Sequence, residues 1–326
     1  MNRDFLMRRR GLLAIGILAV TLMGTGYGAY LAVQRHNYSE TNPLYGATFA
    51  YDPTSPAVER LAKGNMSPEV ERAAKFIAKT PQARWFGSEN SNTQSDLRGF
   101  IQTSNTNGQM PIVTLYGIPN RDCGGLSQGG ASSAAEYRTW IDKVVLGIGE
   151  GTATVIVEPD ALAAIDCLSG DSLAERYELL NMAVDRLSQN PGTTLYLDAG
   201  NAYWIPASQM ADRLKRSGIA QAQGFALNVS NYYTGQESER YGEQLSSLVS
   251  GKHYVVDTSR NGIGPDAKNT WCNPAGRKLG PTPEAFKNRG ALDAYLWIKN
   301  PGTSDGTCNG GPQAGKWWDE AAADLL

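Results

Sequence analysis

The chain has 326 residues, 41% of them hydrophobic, enough for one large domain or two modest ones. Its formal net charge is −2, and no Lys/Arg run exists beyond Arg8-Arg9-Arg10, so nucleic acid and other polyanions are poor partners and a neutral ligand is favoured. The two histidines, His36 and His253, are too few and too separated for a histidine metal centre, and no pair of the four cysteines forms a Cys-x-x-Cys; no metal or cofactor is expected.

In chain order, a short basic stretch precedes an uncharged apolar run over residues 11–33, long enough to span a bilayer, which takes about 20 residues. Residues 1–33 therefore read as a signal anchor or a cleaved signal peptide. The anchor is the preferred reading, and either one exports the remainder of the chain. Residues 34–46 read as a linker and 47–326 as a single domain. Behind an export signal, the even cysteine count suggests two disulfides, and the sequence-local pairing is Cys123–Cys167 and Cys272–Cys308.

Helical periodicity runs from Ala57 to Thr80 and is interrupted near Gly64-Asn65-Met66-Ser67. After it, one theme repeats: a short apolar run ends in a polar or aromatic residue, and an amphipathic helix comes next. The strand candidates are Ile112–Tyr116, Thr154–Glu158, Thr194–Asp198, Gly224–Asn228, His253–Asp257 and Ala294–Ile298, with Arg84-Trp85-Phe86 as a seventh. Helices are expected near Ala134–Leu146, Leu173–Leu187, Ser208–Ser217, Glu237–Val249 and Lys316–Leu325. Such alternation specifies a parallel sheet with right-handed crossovers. Polar groups at six or seven strand ends favour a closed or nearly closed α/β barrel over a doubly wound sheet, and no Gly-x-Gly-x-x-Gly follows the first strand.

The chain's most informative stretch is Thr154-Val-Ile-Val-Glu158-Pro159-Asp160. A β-branched run ends in two carboxylates about a proline that should stiffen the turn and hold Glu158 extended. At the C-terminal end of a barrel strand, Asp160 is placed for catalysis; the bland alternative makes it the N-cap of a following helix. The loop from Tyr116 to Cys123 carries Arg121 and Asp122. The expected Cys123–Cys167 bridge brings Asp122 beside Asp160, where one of two close carboxyls must hold its proton. Otherwise Arg121 and Asp122 are salt-bridge partners within the loop. Gly125-Leu-Ser127-Gln-Gly129 matches a nucleophile elbow, with Asp198 and His253 in the order of a serine hydrolase. Ser127, however, stands about ten residues beyond its strand, and His253 begins one instead of ending it.

Further strand ends bring Asp198, Asn201 and Trp204; Asn228 and Asn231; Asp257 and Arg260; and Lys299 through Asp305 to Cys308, with Trp271 beside Cys272. Acids, amides and indoles on one face suit a neutral polyhydroxylated ligand, and a pair of carboxyls suits acetal cleavage.

Together these stretches resemble glycoside hydrolase family 6, the cellulases comprising endoglucanases and cellobiohydrolases. The resemblance rests on Tyr-x-x-Pro-x-Arg-Asp-Cys at 116–123, Glu-Pro-Asp at 158–160, Tyr-Leu-Asp-Ala-Gly at 196–200, Asn228–Tyr232, Asp257–Gly262, Trp271-Cys272 and Trp-Ile-Lys-x-Pro-Gly at 297–302. It implies a distorted seven-stranded parallel β/α barrel and inverting hydrolysis of β-1,4-glucosidic bonds in cellulose or a related β-glucan. With the leader, the expectation is an exported monomer, secreted or anchored through residues 11–33. Asp160 would be the general acid. Asp122 would raise its pKa, Asp305 would match the proposed base, and Tyr116 would lie under the distorted sugar. Trp85, Trp204 and Trp271 would stack on glucosyl units, with Asn201, Asn231, Lys299, Asp198 and Arg260 completing the sugar site. Asn201 and Thr303 depart from the histidine and glutamate of many members, which leaves room for a catalytically weak glucan-binding protein of the same fold. The short loops favour an open cleft and endo cleavage.

Overall fold

A computed structural model of the chain describes residues 42–326, so the apolar leader and most of the expected linker lie outside the described residues. The short part of the linker stretch that is described is packed. Leu44 is fully buried, and the Asn42 amide donates to the Phe286 and Asp293 carbonyls, each at 2.7 Å. Among the described residues no helix is long and apolar enough to cross a membrane.

The first two helices, α1 (Pro56–Lys63) and α2 (Pro68–Ala78), break where the periodicity does. Gly64, at φ +61°, ends α1, and the Ser67 hydroxyl accepts the Val70 N–H to start α2 with Pro68 in its first turn. Then come β1 (Arg84–Phe86), α3 (Thr93–Thr106), β2 (Ile112–Leu115), α4 (Ala134–Ile148), β3 (Ala153–Val157), α5 (Gly170–Ser188), β4 (Thr193–Asp198), α6 (Ala207–Arg216), β5 (Gly224–Leu227), α7 (Gly235–Leu248), β6 (His253–Asp257), β7 (Glu284–Ala285), β8 (Leu292–Leu296) and α8 (Asp319–Asp324). The unexpected helix α3 is the crossover between β1 and β2. Its apolar stripe, Leu97, Phe100 and Ile101, is real but set among Ser, Thr and Asn that read as loop. The expected C-terminal helix is shorter, starting at Asp319, not Lys316.

The strand order is β1-β2-β3-β4-β5-β6-β8-β7. Seven strands are parallel; β7 adds a two-residue antiparallel edge on β8. The seam between β1 and β8 is bridged by the Ala83 N–H donating to the Trp297 carbonyl (2.9 Å) and by the Asn300 amide donating to the Ala83 carbonyl (2.8 Å). The sheet is thus a curled, imperfectly closed barrel, as a β/α barrel with one irregular seam should be.

Alternation along the strands divides the core in two. Val155, Val157, Leu195, Leu197, Tyr254 and Val256 pack outward against the helices. Ile112, Ile156, Tyr196, Ala226, Val255 and Ala294 fill the barrel interior. Strands buried on both faces read as continuous β-branched runs, which is why the sequence exposes them. At the N-terminal ends lies fully buried Asp293, whose carboxylate accepts the Tyr196 hydroxyl (2.6 Å) and the Gln223 amide (3.1 Å), with His253 Nδ1 2.6 Å away. His253 is therefore engaged at the wrong end of the sheet for a triad with Ser127.

Candidate active site

The two carboxylates of Glu158-Pro159-Asp160 have opposite roles. Glu158 is buried. Its carboxylate accepts the N–H groups of Gly117 (3.0 Å) and Ile118 (3.1 Å) and the Tyr137 hydroxyl (3.0 Å). Burial pushes its pKa up to about 7 against those donors. Glu158 is not extended, as expected from the following proline, but left-handed at φ +52°. The hydrogen bonds that tie it to the β2 loop hold it in a region ordinarily costing about 1–2 kcal/mol.

Asp160, at φ +68°, is partly open to solvent. The residues after it form a turn, with the Ala164 N–H donating to the Asp160 carbonyl (2.8 Å). The next α-helix waits until Gly170, so Asp160 caps none. The Tyr116 hydroxyl donates to Asp160 Oδ2 at 3.3 Å. Burial first, then the negative charge of Asp122, raises the Asp160 pKa to about 7. Burial and the same two carboxylates push the Tyr116 phenol well above its usual range. The Asp160 backbone N–H donates to Asp198 Oδ2 (3.0 Å), as does that of Gly200 (3.1 Å).

Cys123 and Cys167 are bonded, as are Cys272 and Cys308. The first bridge ties the Asp122 loop to the far end of the Asp160 turn. Asp122 accepts the Ser127 N–H (2.7 Å), whereas Arg121 pairs with Glu89 (2.9 Å) and lies over the Tyr116 ring, 4.6 Å from its centroid. The intraloop Arg121–Asp122 pair is therefore not what this loop builds. Ser127 sits on this irregular loop, not at a strand-to-helix elbow.

Asp305 is surrounded by donors: Arg260 Nη1 (3.0 Å), Lys299 Nζ (3.3 Å), the Tyr232 hydroxyl (3.1 Å) and the Asn273 N–H (3.0 Å). Burial would raise its pKa, but Arg260 and Lys299 hold it below the ordinary range. Tyr232 and Asn273 were not singled out as site residues; the one visible signal for Asn273 was its place beside Cys272.

Several of the expected sugar-site residues also brace the strand tips. Asp198, Arg260 and Asn201 are 2%, 4% and 5% exposed. Asp198 orients Asp160; Arg260 backs Asp305 and donates to the Ser230 carbonyl; Asn201 accepts the Tyr203 N–H (3.0 Å). Lys299 is also mostly buried, between Asp305 and the Ser304 carbonyl (3.2 Å). Asn231 is half-buried and donates to the Val229 carbonyl (3.1 Å). Buried Asp257 joins three strand ends by accepting the N–H groups of Ser230, Ser259, Ile298 and Lys299. The indoles are more open. Trp271 is 59% and Trp204 40% exposed, while half-buried Trp85 meets the Tyr116 ring edge-on at 5.3 Å.

The Glycosyl hydrolases family 6 profile matches residues 41–326. Endoglucanase A of Cellulomonas fimi is 42% identical over 281 residues, covering 85% of this chain; the chain spans only 60% of that enzyme's length. Endoglucanase 1 of Streptomyces halstedii is 40% identical over 290 residues, covering 85% of this chain and 88% of that one. Among solved structures, the endoglucanase Cel6 from Mycobacterium tuberculosis, in complex with methyl-cellobiosyl-4-deoxy-4-thio-β-D-cellobioside, superposes with a TM-score of 0.82 at 46% identity, covering 87% of this chain and 98% of that one. With a curled parallel barrel and its acids gathered at the strand tips, the chain belongs to glycosyl hydrolase family 6.

Proposed function

We infer that the protein is an endo-β-1,4-glucanase that cleaves cellulose or a related β-glucan with inversion. The observation carrying this reading is Asp160: a partly open carboxyl that accepts the Tyr116 hydroxyl and whose pKa burial and the charge of Asp122 raise to about 7. In this reading the protonated Asp160 gives its proton to the glycosidic oxygen as the C1–O bond breaks, and a water attacks C1 from the opposite face. Inversion needs the acid and the proton acceptor roughly 6.5–9.5 Å apart. Asp305, held ionised by Arg260 and Lys299, is the proposed acceptor of that water's proton. Asp122, whose charge raises the Asp160 pKa, supports the protonated acid instead.

The relatives named endoglucanases at 40–42% identity and the exposed Trp204 and Trp271 support an open cleft and endo cleavage. Two disulfides support an oxidising compartment, so we propose an exported monomer, secreted or held by residues 11–33. The test is NMR product analysis on cellohexaose. Internal cleavage with α-configured new ends fits; terminal cellobiose release alone, or β-configured ends, does not. Asp160→Asn should lose about 10²–10⁴-fold in rate while still binding cello-oligosaccharides. A glucan-binding protein without catalysis would leave the viscosity of a soluble cellulose derivative unchanged.

A further inference from the structure

The loop leading to Asp122 is gripped from two sides by a buried pair of opposite charges. Its first two residues, Gly117 and Ile118, donate their N–H groups to the Glu158 carboxylate. Its next two, Pro119 and Asn120, give their carbonyls to the Arg176 guanidinium, at 2.8 and 3.2 Å. Arg176 stands on α5, 4% exposed, and its other terminal nitrogen donates to the Ala161 carbonyl at 2.9 Å. One planar guanidinium therefore bonds both the loop entering Asp122 and the residue following Asp160. A second buried arginine, Arg213 on α6, bonds only the Asp160 turn and its end: the Leu162 carbonyl (2.7 Å), the Ala163 carbonyl (3.1 Å) and Asp166 (3.0 Å). The disulfide joins the two loops further out, at Cys123 and Cys167.

We propose that Arg176 is a positioning residue that, with Glu158, sets the separation of the Asp122 and Asp160 carboxyls and so keeps the acid poised. This rests on the reading of Asp160 as general acid. Arginine is needed because its fork reaches two backbone segments at once in one plane; a lysine ammonium reaches one or the other. The groups facing Asp160 are Asp122, Tyr116, Lys299 and Asp305, with Asp198 on its backbone; those facing Arg176 are Glu158, Tyr137 and Tyr116. If the loops part, Asp160 gains water and loses the repulsion of Asp122, and both changes lower its pKa.

The experiment measures kcat and KM on cellotetraose from pH 4 to 9 for wild type, Asp160→Asn, Arg176→Lys and Arg213→Lys. The function reading is checked first: wild-type activity should fall above about pH 7, and Asp160→Asn should lose about 10²–10⁴-fold in kcat. Given that, Arg176→Lys should lose about 10- to 100-fold in kcat with KM within threefold, and its alkaline limb should move to lower pH. Arg213→Lys should lose stability with the limb in place. The proposal is overturned if Arg176→Lys keeps the wild-type kcat and limb, or if Arg213→Lys moves the limb equally. Should Arg176→Lys fail to fold, Glu158→Gln/Arg176→Gln removes both buried charges together and faces the same criterion.

Discussion

Replacing Asp160 with Asn should make the protein more stable, and increasingly so as pH rises. A carboxyl whose pKa rises from 3.8 in the unfolded chain to about 7 in the folded one binds its proton more tightly when folded. Its ionisation therefore opposes folding: the cost is nil below pH 4, grows as pH rises to 7, and is constant above that. The full shift corresponds to about 4 kcal/mol; because Asp160 is partly open to solvent, roughly 2 kcal/mol is the working figure. The shift of Glu158 owes nothing to Asp160 and cancels in the difference; that of Asp198 owes part to the Asp160 charge and relaxes in the variant, in the same direction. Urea unfolding at pH 4, 5, 6, 7 and 8 should show the Asp160→Asn advantage widening from near zero to about 2 kcal/mol and then levelling. Thermal melts at pH 7.5 should differ by roughly 4 °C. An advantage that is flat across this range, or that shrinks with pH, would refute the claim that the acid is kept protonated by burial and its neighbour.

Asp305→Asn leaves Arg260 and Lys299 buried without their counter-ion, so unfolding experiments should report a loss of about 3–5 kcal/mol alongside reduced kcat. Cys123→Ser/Cys167→Ser opens a bridge spanning 44 residues, and should cost about 4 kcal/mol in urea and lower kcat more than KM, because the bridge ties together the two acid loops. Trp271→Ala removes an exposed stacking surface and no core packing; KM for cello-oligosaccharides should rise roughly tenfold, about 1–2 kcal/mol of lost contact, with the melting temperature within a degree of wild type.

The parallel strands were legible because burial on both faces demands uninterrupted β-branched runs such as Thr154–Val157, and most lead into a polar residue that must find water or a hydrogen-bond partner. Helix α3 was hidden because its stripe of Leu97, Phe100 and Ile101 is thin among loop-like residues, and β7 because two residues carry no period. The tips were legible as a set, but not how their side chains bond one another. Asp198, Arg260 and Asn201 are buried and hydrogen-bonded among neighbouring strand ends, a packing that periodicity does not encode. Arg176 lay in the middle of a helix with nothing local to mark it, since its partners lie 15 and 57 positions away.

The order of residues alone determined the strand-and-helix rhythm, the cysteine partners and the identity of the acids at the barrel's rim. Tertiary structure decided which of them holds a proton near neutrality. Ionisation depends on burial and on the charge next door, and Asp122 comes next to Asp160 only once β2 pairs with β3 and a disulfide and a guanidinium clasp the loops beyond them.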